Sequence, residues 1–162
     1  MNVPSSLPGD PSELRLRISY TGDLTDIPQD DTLERWDVEI LHEESKVGAM
    51  TFYRVHLDRG ANAYRTMEEA SAELDETAQA LLDPDTGNLT EDASTSLPYV
   101  GSALLVMDRV TLDEQWRGHG LGPILATEAI HRLMAGCRGI VCTPGVTDLT
   151  SDRLRNRRSS TG

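Results

Sequence analysis

Between residues 101 and 145 the sequence changes its period twice, and that confines what the chain can build. Leu104, Leu105, Val106 and Met107 are apolar on both faces, as a strand covered on both sides requires, within the strand-like run Ala103–Leu112. Glycines then fall at positions 118, 120 and 122. After them Leu121, Ile124, Leu125, Ala129, Leu133 and Met134 recur at helical spacing. Pro123 sits in the first turn, where a missing N–H is tolerated, and Gly136 where a helix-ending glycine belongs. Residues 138–143 read as a short strand closed by Pro144-Gly145. The pattern predicts strand, loop, a helix over 121–135, and strand. A crossover of that length makes the two strands parallel and right-handed.

Upstream the chain reads differently. Residues 1–12 hold three prolines among small polar residues and are expected to be loosely attached. Leu14, Leu16, Ile18 and Tyr20 alternate with polar neighbours, which predicts a half-buried strand. Residues 21–33 read as an acidic loop. Trp36, Val38 and Ile40 alternate against Arg35, Asp37 and Glu39, and a polar turn at 43–46 leads into an apolar run from Val47 to Leu57. The pair predicts a hairpin whose second strand is the more central. Thr66 and Glu69 have the capping-box spacing, and Met67, Ala70, Leu74, Ala78, Leu81 and Leu82 extend it to one helix over 66–82, stopped by Asp83-Pro84. Residues 83–98 read as a long acidic loop.

Composition limits the function classes. The 162 residues fit one domain and carry a net charge of −12, which repels nucleic-acid phosphates and anionic lipid. The basic cluster Arg153, Arg155, Arg157 and Arg158 falls in a Ser/Thr-ended segment that reads as a flexible tail over 149–162. The two cysteines, Cys137 and Cys142, form no Cys-x-x-Cys or Cys/His zinc spacing. The first residues resemble no signal peptide, and no apolar run approaches bilayer length, so a cytoplasmic setting is expected, with neither membrane nor specific nucleic acid as partner.

The glycines carry the chemistry. A helix N-terminus leaves N–H groups without partners and bears partial positive charge. Glycines at alternate positions remove Cβ atoms on the approach side, so an anion can meet the backbone, and Arg117 adds a full charge. The site suits a pyrophosphate. Neither the dinucleotide Gly-x-Gly-x-x-Gly spacing nor the Gly-Lys-Ser/Thr ending of a nucleotide P-loop is met. The segment Gln115-Trp116-Arg117-Gly118-His119-Gly120-Leu121-Gly122 instead resembles the Gln-x-x-Gly-x-Gly acyl-CoA motif of the GNAT superfamily of N-acetyltransferases, over roughly residues 101–145.

That resemblance implies an α/β fold with a mixed, mostly antiparallel sheet, a splayed parallel strand pair and flanking helices, here over residues 13–148. It implies acetyl-CoA as co-substrate, its pyrophosphate held by backbone N–H groups from Arg117 to Gly122. Gln115, His119 and Leu121 belong to the same motif, and backbone groups near Val110 and Leu112 would pair with the pantetheine arm. The family's usual base falls at Val106, which cannot act, so Asp108, two residues on, is the candidate. Asp113 and Glu114 read as turn residues, and His42, His56 and His131 as structural. Cys142 reads as a small buried strand cysteine. The family's acid, a tyrosine on a later helix, has no counterpart in residues 146–162, and the expected pattern is shortened there. Two functions stay open: an N-acetyltransferase whose acidic surface favours a cationic amine, or a non-catalytic acyl-CoA-binding or protein-interaction module, with an exposed sheet edge able to support a homodimer.

Overall fold

The computed structural model describes residues 6–22, 24, 32–97 and 99–142. Five strands form one sheet in sequence order: β1 (Arg15–Tyr20), β2 (Leu33–His42), β3 (Ser45–His56), β4 (Ala103–Leu112) and β5 (Cys137–Cys142). The first four run antiparallel, and β5 joins β4 in parallel, as the strand–helix–strand pattern requires. β3 is the middle strand, so the hairpin expectation holds. Its turn is tighter than expected: only Glu43 and Glu44 connect the strands, both at positive φ (50° and 69°). That backbone matches the strand twist but is normally taken by Asn or Gly.

Two apolar layers sandwich the sheet. On one face α4 (Leu121–Leu133) lays Leu121, Leu125, Ala126, Ala129 and Leu133 against Val38, Met50, Phe52, Leu105 and Met107. Ile124, expected on that stripe, is 64% exposed, because the buried stripe runs through Leu125, Ala126, Ala129 and Leu133 and leaves Ile124 outside its flank. On the other face α1 (Ala63–Ala70) and α2 (Ala72–Leu81) bury Met67, Leu74 and Ala78 against Val55, Leu104 and Val106.

Four expectations are corrected. The helix expected over 66–82 is two helices. Ser71 is extended (φ −163°), ends α1, and caps α2 by accepting the Leu74 N–H at 3.1 Å. Asn62, not Thr66, caps α1, accepting the Arg65 N–H, while the Thr66 hydroxyl donates to the Asn62 carbonyl. Residues 83–97 are not all loop. Thr90 caps a short α3 (Glu91–Ser96), and Arg138 donates to the Ser94 carbonyl and hydroxyl, tying α3 to β5. Residues 6–12 are attached: Leu7 packs against the core, and Asp10 caps a 3-10 turn at Pro11–Glu13. The basic cluster at 153–158, the tail and Pro144-Gly145 lie outside the described residues, as do positions 23, 25–31 and 143 of the expected loop and last strand.

A polar cluster anchors the C-terminal end of α4. The Arg54 guanidinium donates to the Leu133 carbonyl and lies over the Trp36 ring. Glu34 accepts from Trp36 Nε1 at 3.1 Å and meets the His56 ring nitrogen at 2.7 Å. Burial pushes the Glu34 carboxyl up, but the hydrogen bonds from His56 and Trp36, with the charges of His56 and Arg54, outweigh it and hold it below its ordinary value of 4.5. A depressed folded-state value stabilises the fold above the ordinary glutamate range, and that stability is lost as pH falls through the folded value. Glu34→Gln should therefore cost about 1–3 kcal/mol near neutral pH and flatten the acid side of the stability curve. Urea unfolding at neutral and acid pH checks this; parallel pH profiles for the two proteins would contradict it.

Candidate functional site

β4 builds one wall of the site. Its pairing with β3 skips a residue, Thr51 facing Arg109 and Phe52 facing Met107, so Asp108 is an extra residue in a bulge. A bulge bends its strand and sharpens its twist. The described residues of β5 pair with β4 from Ala103 to Met107. Beyond the bulge, Val110 and Leu112 pair with Met50 and Gly48 of β3, and among the described residues the opposite edge of β4 from Arg109 to Leu112 has no strand partner. Leu112 is buried in the α4-side core and Val110 is half-buried against it.

The loop leaves β4 through a 3-10 turn, Glu114–Trp116. Gln115 is exposed on it. Trp116, only 2% exposed, enters the core and meets the His42 ring edge-on, centroids 5.1 Å apart. The loop is thus pinned by a side chain at a variable position of the motif, one that motif spacing does not single out. The Arg117 N–H donates to the Glu114 carbonyl at 3.1 Å, and its Nε donates to the Leu112 carbonyl at 2.7 Å. Its N–H is therefore committed to the turn, and the set of backbone donors open to an anion starts at Gly118.

Gly118 and Gly120 have φ of +77° and +72°, which L side chains adopt at a cost. Gly120 is the N-cap of α4 and offers no side-chain oxygen to its first turn. Among the described residues the N–H groups of Gly118, His119, Gly120, Leu121 and Gly122 reach no acceptor. His119 is exposed, while the Leu121 side chain turns into the core. A Cβ built on Gly118, Gly120 or Gly122 would meet nothing within 4 Å. Gly122 is the informative one. Its φ is not in the left-handed region and it lies inside a helix, where glycine costs about 0.5–1 kcal/mol relative to alanine. Neither backbone conformation nor packing asks for glycine there.

On the α1–α2 side a second group of residues gathers. Burial pushes the Asp108 carboxyl up, and the negative charge of Glu73 adds to it against Arg109 and Arg35. Burial also raises the Tyr53 phenol, helped by Asp108, Asp37 and Glu73 and opposed by Arg35. Tyr53 packs with the α1–α2 core. Neither Tyr53 nor Glu73 is singled out by the sequence, because they lie on other elements and only the fold sets them within electrostatic range of Asp108.

The remaining candidates separate from this site. Asp113 and Glu114 are exposed at the turn, as expected, and His131 is exposed on α4. Cys142 is exposed at the end of β5 rather than buried, and Cys137 is the buried cysteine. Cys137 begins the strand in the core under α4, whereas Cys142 lines the open groove between β5, Leu97 and α2. Two grooves lie elsewhere, one lined by Leu14, Leu16, Ile18, Glu128 and Arg132, the other by α2, Leu97 and β5, and neither includes the loop. Open hydrogen-bond donors, not a deep cavity, mark residues 118–122 as a site. Among the described residues no helix is long and apolar enough to cross a membrane. No family model, no curated protein and no solved structure matches the chain.

Proposed function

We propose that the chain is an acyl-CoA-dependent N-acetyltransferase of the GNAT type, transferring acetyl from acetyl-CoA to an amine. The observation that carries the reading is the cluster of five N–H groups, Gly118 to Gly122, without acceptors among the described residues, at the start of α4, with Gly122 free of a Cβ that no described residue would obstruct. Such donors at the positive end of a helix dipole suit a pyrophosphate. Arg117, exposed beside them, adds charge. The edge of β4 from Arg109 to Leu112, unpaired among the described residues, offers main-chain groups to an extended, amide-bearing arm.

The chemistry follows from what transfer demands. The amine nitrogen attacks the thioester carbonyl, the C–S bond breaks, and the nitrogen proton must leave. A carboxylate whose proton affinity is raised is a better base, and Asp108 has that character. Tyr53, within electrostatic range of Asp108, is the candidate donor to the departing thiolate. The net charge of −12 favours a cationic acceptor.

Calorimetric titration with acetyl-CoA tests binding, and release of free thiol with a panel of amines tests transfer. Asp108→Asn should lower turnover by about 100-fold or more and remove the acidic limb of the pH–rate profile, with acetyl-CoA affinity nearly unchanged. An identical profile would remove Asp108 as base. Binding without thiol release on any amine would favour a non-catalytic acyl-CoA-binding module, and absence of binding would end both readings.

A further inference from the structure

Away from the loop's open donors, Glu13, His42 and Glu43 bring three potential ligand atoms within 4.8 Å of one another. His42 ends β2, Glu43 opens the two-residue turn, and Glu13 lies in the 3-10 turn before β1. His42 Nε2 has less than 1 Å² of accessible surface and no hydrogen-bond partner among the described residues. It faces Glu13 Oε2 at 3.7 Å, too far for a hydrogen bond. One side of the imidazole is closed by Trp116 and another by the Gly9 backbone, where a Cβ would come within 2.4 Å of Nε2. The two glutamates are exposed, so the site opens to solvent on their side.

We propose that Glu13, His42 and Glu43 bind a divalent transition-metal ion of the zinc type, clipping the segment before β1 to the β2–β3 turn. Two observations support this. An imidazole nitrogen buried without a partner is costly, and a metal satisfies it. Ligands about 2.0–2.2 Å from a tetrahedral ion lie roughly 3.5 Å apart, close to the 3.7 Å between Nε2 and Glu13. One nitrogen and two carboxylates, with a position left for water, suit zinc better than calcium or magnesium, which prefer all-oxygen shells. The proposal does not rest on the acyl-CoA reading, although His42 touches Trp116, the anchor of the glycine loop.

The probe is Zn²⁺ alone, titrated into the full chain by calorimetry with thermal unfolding alongside. One ion per chain should bind and raise the melting temperature. His42→Phe keeps a ring against Trp116 and should weaken that binding at least about tenfold. Glu43→Asn relieves the turn, so it should melt higher without metal yet bind Zn²⁺ several-fold more weakly, a split that a purely structural glutamate would not produce. Either no saturable binding, or equal affinity in both variants from scattered surface carboxylates, overturns the proposal. Should His42→Phe fail to fold, Glu43→Asn alone decides.

Discussion

Trp116→Ala should remove about 3–5 kcal/mol of folding free energy, on the scale of truncating a fully buried aromatic. The side chain is only 2% exposed and packs into the layer formed by Phe52, Met50, Leu112 and α4. A domain of this size typically has about 5–15 kcal/mol in total, so the variant should still fold but melt on the order of 10 °C lower. The effect reaches the loop. Trp116 is the last residue of the 3-10 turn, and the next residues carry the open N–H groups. Without its anchor the loop must be ordered by the ligand itself, so acetyl-CoA affinity should fall too. Trp116→Phe keeps an aromatic edge near His42 and should lose less of both. Denaturant unfolding and calorimetry on the two variants check the ranking, and an alanine variant as stable as the parent would show that the loop is held by something else.

The parts of this fold that the sequence announces are those where one element carries its own signal. β4 reads as Ala103–Leu112 because both faces are apolar, and the hairpin reads from simple alternation. The parallel pairing of β4 and β5 follows from the length of the crossover. What the sequence hides depends on competition between local and distant contacts. Ser71 lies inside a helical period, and only its cap to Leu74 breaks the helix there. α3 does carry a local signal, Thr90 followed by Glu91 and Asp92, but it is short and polar, so no hydrophobic period exposes it. The same division runs through the site. The glycines and Arg117 stand in one contiguous segment and are legible. The partners of Asp108 come from β3 and α2, and those of Trp116 from β2, and no spacing rule joins them. The bulge that sets Asp108 apart is equally silent, because it is a property of register between two strands.

The glycines themselves yield the other large effect. Gly120→Trp should reduce acetyl-CoA affinity by about 100-fold or more. An indole there stands on the approach side of the Gly118–Gly122 donors, and each hydrogen bond to a charged group lost from such a set is worth about 1.5–3 kcal/mol. Two of them account for the factor, at about 1.4 kcal/mol per tenfold. The substitution also carries a backbone penalty, because φ at this position is +72°. Gly120→Ala separates the two effects: it meets the same strain, roughly 1–2 kcal/mol of stability, with almost none of the bulk. If the alanine and tryptophan variants bind equally, no ligand approaches this face. Gly122→Ala completes the comparison with opposite signs. Its backbone is helical and its Cβ would touch nothing within 4 Å, so the free protein should become more stable by about 0.5–1 kcal/mol. Acetyl-CoA should nevertheless bind it more weakly, since the methyl group stands where a phosphate would contact the backbone. A stabilised variant with undiminished affinity would leave Gly122 without a functional reason and remove the main support for an anion at the start of α4.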